Sequence, residues 1–274
     1  MKKILVPTDF SVHSEYALKT AAQIAKKNGG EVFLLHMLEL PHQAGDAVGS
    51  GSDIPEIMIF KNAAMNKLEE LMNHESLEGL KVSEIIQFEL AFEGIMRVSE
   101  INNIDLIVMG SHGTSGFKQM FIGSNAEKVV RNSEIPVLIV KKDEGEFNVN
   151  KFVFASDFTN ETKQQFSKVV EFADKFGADL QLVMINTPSN FKPTHVAKEI
   201  MENYITSFSV PKYSTHIYSD VNVESGILNF AKNTNADLIG ICTHGRKGLA
   251  HFFNGSISED LVNHASHPVV TFKI

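Results

Sequence analysis

The 274-residue chain contains a single cysteine, Cys242, no tryptophan, and no apolar run approaching the length of a membrane span. A lone thiol excludes internal disulfides, and crossing a bilayer takes roughly 18 to 20 consecutive apolar residues. No basic half exists either. Residues 1–142 hold 14 of the 25 basic and 18 of the 33 acidic groups, so the net charge of −8 is shared evenly. That balance argues against a nucleic-acid-binding module. The opening MKKILVPTDF has a short apolar run stopped by Pro7 and Asp9, which reads as a strand rather than a signal peptide. A soluble, cytoplasmic protein with neither membrane nor nucleic acid as partner is expected. The chain also lacks G-x4-G-K-[ST], H-E-x-x-H and G-x-S-x-G, motifs of the P-loop, the zinc proteases and the α/β-hydrolases. His264-x-x-His267 is only a pair, and without cysteine partners it does not make a zinc framework.

What is present is a duplication. Ile4-Leu5-Val6-Pro7-Thr8-Asp9-Phe10-Ser11 aligns with Phe152-Val153-Phe154-Ala155-Ser156-Asp157-Phe158-Thr159 at an offset of 148. Later matches run at 132: Glu93-Gly94-Ile95 with Ser225-Gly226-Ile227, Asn103-Ile104-Asp105 with Asn235-Ala236-Asp237, and Ile135-Pro136-Val137 with His267-Pro268-Val269. The second copy is therefore 16 residues shorter in its middle. The extra length of the first copy falls at Pro41 to Pro55, expected as a long exposed loop that is either a simple surface excursion or a lid. The domains expected are 1–142 and 151–274, joined by a polar linker over 143–150.

Within each copy short apolar runs alternate with amphipathic segments. Ile4–Val6, Val32–Met37, Ile85–Phe88, Leu106–Met109 and Val137–Val140 have the character of strands buried on both faces. Ala17, Leu18, Ala21, Ala22 and Ala25 share one helical face, and Ser11 and Thr159 suit the N-caps of the first helix in each copy. The fold class expected is α/β: two tandem doubly wound domains, each an open five-stranded parallel sheet with helices on both faces. The last strands, Val137–Val140 and Val269–Thr271, should lie at sheet edges and pair with each other, making the chain a pseudo-dimer. A homodimer of chains is a further possibility.

Met109-Gly110-Ser111-His112-Gly113, followed after nine residues by Gly123-Ser124, has the makings of a phosphate cradle. Glycines let backbone approach an anion, and the first amides of a helix are unpaired and carry partial positive charge. Ser124-x-x-Glu127 and Ser256-x-x-Glu259 also read as capping boxes, Asp9 as a turn residue, and Lys118 as a solvated loop lysine.

Taken with Pro7-Thr8-Asp9, the Gly110-x2-Gly113-x9-Gly123-Ser124 arrangement resembles the ATP-binding subgroup of the universal stress protein family. The likeness extends through Leu106–Gly113, Gly123–Val130 and Pro136–Val140 and covers the chain as two tandem domains. It implies that Pro7, Thr8 and Asp9 meet adenine and ribose, that the Met37 backbone reaches the adenine edge, and that Met109 and Gly110 flank the ribose. It further implies that Gly113, Gly123, Ser124 and Asn125 hold the phosphates, with His112 either touching them or orienting the loop. Mg²⁺ or Mn²⁺ would arrive with the nucleotide, bound through its phosphates.

In the second copy the run is Ile241-Cys242-Thr243-His244-Gly245, with Gly255-Ser256 after nine residues. Cys242 replaces the first motif glycine, Ala155 replaces Pro7 and Met184 replaces His36, while Asp157, Gly245, Gly255 and Ser256 remain and Arg246 and Lys247 add charge. A weaker second site is expected. The function expected is a nucleotide-dependent stress-response regulator that binds ATP mainly in its first half, with no catalytic residues and at most slow hydrolysis. The alternatives are a nucleotide-independent scaffold for unidentified protein partners, and a slow ATPase.

Overall fold

The structure, a computed structural model, describes residues 1–38, 54–113, 122–243 and 256–274, without the side chains of 54–56 and 256–259. In chain order the first half comprises β1 (Lys3–Thr8), α1 (Val12–Asn28), β2 (Glu31–Met37), α2 (Ile54–Met72), β3 (Lys81–Gln87), α3 (Ala91–Ile101), β4 (Leu106–Gly110), α4 (Ser124–Asn132) and β5 (Val137–Val140). The second comprises β6 (Lys151–Ala155), α5 (Lys163–Phe176), β7 (Asp179–Asn186), α6 (Thr194–Ile205), β8 (Tyr213–Ser219), α7 (Val223–Thr234), β9 (Leu238–Thr243), α8 (Ser256–His264) and β10 (Val269–Lys273). Of the expected loop, Ile54 and Pro55 open α2, and 41–53 lies outside the described residues. The third strand starts four residues earlier than its apolar run, because Lys81–Glu84 sits at the sheet margin, where polar residues face solvent.

The ten strands form one sheet in the order β3-β2-β1-β4-β5-β10-β9-β6-β7-β8. Every pairing is parallel except β5 with β10, which meet antiparallel at Val137↔Thr271, Leu138↔Val270 and Ile139↔Val269. The two five-stranded sheets thus pair edge to edge as the sequence suggests. Alternate residues of each strand serve opposite faces: Ile4, Val6, Leu138, Phe154 and Val270 enter one core layer, and Leu5, Ile107, Ile139, Val153 and Val269 the other. Both layers run through both halves. In the first layer Phe272 packs at 6.4 Å from Phe154 and 6.0 Å from Phe172, ring centre to ring centre.

The duplication persists in backbone detail. Phe10 and Phe158 both have positive φ (64° and 56°), as do Asn103 and Asn235 at 51°. The carboxylate of Asp105 accepts the Lys2 and Lys3 amides at the start of β1, and that of Asp237 accepts the Asn150 and Lys151 amides at the start of β6. The Asn-x-Asp motif is therefore a turn followed by a strand-start anchor.

The 143–150 segment is not a free tether. Phe147 and Val149 are buried, Gln23 of α1 donates to the Gly145 carbonyl and accepts from the Phe147 amide, and Asp143 pairs with Lys19 at 3.1 Å. Two apolar side chains in an otherwise polar stretch suffice to pack it.

Because Phe272 is fully buried at the junction, Phe272→Ala should cost about 3–5 kcal/mol. Urea unfolding should show one cooperative transition at a lower midpoint; a midpoint unchanged from the parent would contradict the shared layer.

Candidate functional site

In a doubly wound sheet, ligands sit beyond the C-terminal ends of the strands where strand order reverses. Here that point lies between β1 and β4, which are neighbours while the chain runs from β1 outward to β2 and β3. A cavity of about 510 Å³ opens there, within the range typical of small-molecule sites. The end of β1 supplies Pro7, Thr8 and Asp9, the end of β2 supplies Met37, and the end of β4 supplies Met109 and Gly110. His112 and Gly113 line it from the following loop, and Gly123, Ser124 and Asn125 from the start of α4. All eleven residues expected for the first site therefore face one space. Lys118 lies outside the described residues.

Local chemistry explains the arrangement. Asp9 Oδ1 accepts the Ser11 amide at 3.1 Å, and Ser11 in turn caps α1 by accepting from the Ser14 amide. Thr8 Oγ1 bonds Ser14 Oγ at 3.0 Å. The strand end is thereby tied to the helix. Gly110 permits a close approach: a Cβ there would stand 2.6 Å from the His13 carbonyl carbon and oxygen. At Gly113 a Cβ would fall 2.5 Å from Asp9 Oδ2, so this glycine leaves the Asp9 carboxylate its place.

The cap of α4 is Gly123, not Ser124, and no side chain caps the helix. Gly123 donates its amide to the Ser111 carbonyl at 2.7 Å, leaving the amides of Ser124, Asn125 and Ala126 without intrahelical acceptors. The capping-box reading of Ser124 fails for that reason, and Glu127 instead pairs with Arg131. An uncapped helix start facing a cavity is suited to an anion.

Several lining residues escaped the motif. His36 stacks on Phe10 at 4.3 Å and bonds the Thr8 carbonyl through Nδ1 at 2.8 Å. Ala91 and Ile95 of α3 contribute an apolar wall; the α3 helical face was the only signal for them. His112 Nδ1 meets Ser111 Oγ at 2.9 Å, while its buried Nε2 has no partner among the described residues. Its ring centre is 5.2 Å from that of His13. Burial lowers the His112 pKa, and His13 and Lys141 lower it further. Burial alone brings the Lys141 amine down to about 8. An anion placed beside these groups would favour their protonated forms and oppose the downward shifts.

The second half differs in shape. The space at the ends of β6 and β7, beside Asp157, is about 20 Å³. Asn186 accepts the Lys192 amide and donates to the Lys192 carbonyl, folding residues 187–193 back on themselves, and Met184, Ile185, Asn190 and Lys192 line the small space. Cys242 is buried, and the first helix of this half starts at Lys163, after an uncapping Thr162, instead of at the equivalent of Val12. Thr159 is therefore not the N-cap. A side chain at the Gly110 position collides with the first helical turn, and here residues 160–162 form a turn instead. The thiol is held at about 12 by burial and by Asp157, which makes it an inert core group. Gly245, Gly255, Arg246 and Lys247 lie outside the described residues, and of Ser256 only its position as the first residue of α8 is described.

Two outcomes are expected. Gly110→Ala should destabilise the fold by about 1–3 kcal/mol through overpacking against α1, measured by urea unfolding; full stability would refute the close approach. Burial also lowers His36, His216 and His267 below 6.5. As pH falls from 6.5 through these depressed values the unfolded chain binds more protons than the folded one, so stability held above pH 6.5 is lost on acidification. Melting temperature should fall as pH drops below 6.5, less steeply in His112→Gln; a flat profile would refute the assignment.

Comparison with known proteins follows the same geometry. The universal stress protein family model matches residues 1–141 and 202–273. A universal stress protein of Methanocaldococcus jannaschii is 37% identical over 157 residues, covering 52% of this chain and 95% of the relative. A universal stress protein of Synechocystis is 23% identical over 304 aligned positions, covering 100% of both chains. The crystal structure of a universal stress protein from Archaeoglobus fulgidus matches at TM-score 0.75 and 26% identity, over 99% of this chain and 98% of that one. Among the described residues no helix is long and apolar enough to cross a membrane.

Proposed function

The chain belongs to the universal stress protein family, and from that membership we propose that its first half binds ATP and uses occupancy as a regulatory state. The observation that carries this reading is the single cavity in which Asp9, the Gly110–Gly113 loop and the uncapped start of α4 converge. Pro7, Thr8, Asp9 and the Met37 backbone take the adenosine end, Met109 and Gly110 flank the ribose, and His112, Gly113 and Gly123–Asn125 take the phosphates. Mg²⁺ or Mn²⁺ enters with the nucleotide. Phosphate and water oxygens would supply its ligands, as Mg²⁺ prefers.

The site reads as a binder rather than a fast ATPase. Asp9 is engaged by the Ser11 amide at the strand end, and positioning of a water near the phosphates supports slow turnover at most. Ligand biases conformation only by differential affinity for two states. The filled space beside Asp157 favours a scaffolding role for the second half.

Calorimetric titration of ATP with Mg²⁺ into ligand-stripped protein should show one equivalent bound. Gly113→Val should abolish it, since its Cβ meets Asp9 Oδ2, whereas Gly245→Val should retain it. Absence of binding to the stripped parent would overturn the reading, and two equivalents would overturn the asymmetry.

A further inference from the structure

Residue Asn263 belongs to the second half, yet its side chain contacts the phosphate cradle of the first. Asn263 Oδ1 accepts the backbone amide of Ile122 at 2.5 Å. Since the donor is an N–H, the amide oxygen must be the atom facing it. Ile122 is the residue before Gly123, the cap of α4, and Gly123 is itself bonded to the Ser111 carbonyl. The start of α4 is thus pinned on one side by its own half and on the other by the partner half. The backbone carbonyl of Asn263, one of the unpaired acceptors in the last turn of α8, accepts from Lys141 Nζ, also at 2.5 Å. Lys141 follows β5 directly. One residue of α8 therefore fixes both the cradle and the end of the adjacent strand.

The related contact in the other direction has different chemistry. Lys273 Nζ donates to the Asn132 carbonyl at 3.2 Å, as Lys141 does to Asn263. At the offset of 132, however, the residue equivalent to Asn263 is Arg131. A guanidinium has only donors, so it cannot accept a backbone amide as Asn263 does.

We propose that Asn263 is a positioning residue of the first-half site: by holding the Ile122 amide it aims the free amides of Ser124–Ala126 at bound phosphates, so that the second half sets the affinity of the first for polyphosphate. This rests on the reading of the first half as a nucleotide site. It also supplies a contiguous link between the two copies, because α8 begins at Ser256 of the second Gly-Ser motif and presents Asn263 in its last turn.

The test uses the full chain carrying Asn263→Leu, which keeps the size and removes the acceptor, and Asn263→Asp, which keeps the acceptor; Asn263→Ala replaces the leucine variant should that one misfold. Mg²⁺-ATP and adenosine are titrated separately, and exchange of the Ile122 amide is followed in the unliganded protein. Loss of one well-formed hydrogen bond should weaken ATP about tenfold in Asn263→Leu, with Asn263→Asp within about twofold of the parent and adenosine unchanged in both. Ile122 exchange should accelerate in Asn263→Leu only. Unchanged ATP affinity in Asn263→Leu, equal weakening of ATP and adenosine, or failure of Asn263→Asp to restore binding would each overturn the positioning role while leaving the ATP reading intact. A parent protein that binds no ATP would overturn both.

Discussion

The antiparallel pairing of β5 with β10 is the constraint on which the rest of the molecule depends. Each half ends its sheet on a short, mainly apolar strand, and an unpaired apolar edge invites association. Pairing within the chain satisfies both edges at once. It merges the cores into two layers that run the length of the sheet, brings Phe272 against Phe154 and Phe172, and lays α4 and α8 beside the junction. From there Asn263 reaches Ile122, and Lys141 and Lys273 each reach a helix end of the opposite half. The buried Phe147 and Val149 close the chain connection in the same region.

Around that shared frame the two copies diverge through a few local substitutions with large steric consequences. Glycine at 110 allows α1 to start against the strand end, which leaves the strand ends open as a cavity. Cysteine at 242 is accompanied by a helix that starts later, and the connection after β7 folds back on itself. Interiors pack densely, so a single Cβ or a loop shortened by a few turns decides whether a space of ligand size exists. Among the described residues the space beyond the strand ends of the first copy is about 510 Å³ and that beside Asp157 about 20 Å³.

Electrostatics complete the contrast. The open pocket gathers His13, His112 and Lys141 near an uncapped helix start, with a buried imidazole nitrogen lacking a partner among the described residues. The filled one holds a neutral, buried thiol near Asp157. The first environment is suited to an anion, although the residue that first draws attention there, Asp9, is identical to its counterpart Asp157.

Much of this could be read from residues alone. Strand and helix alternation, the two copies, the edge strands that pair and Ser11 as a cap depend on short-range periodicity and turn chemistry, which a sequence displays directly, whereas the residues expected around the first cradle are implied by the family resemblance that its motif carries. Other features could not be read so. Ser124 is not a cap because Gly123 takes that position against the Ser111 carbonyl; Thr159 is not a cap because its helix starts only at Lys163; and 143–150 is packed because Gln23 and Phe176 await it. The sequence by itself determined the repeat, the elements and the place of the cradle. Tertiary structure alone decided the size of the space beyond the strand ends and which residue of the other half bonds Ile122, because cavity volume and cross-half hydrogen bonds depend on atoms far apart in the chain that only the folded sheet brings together.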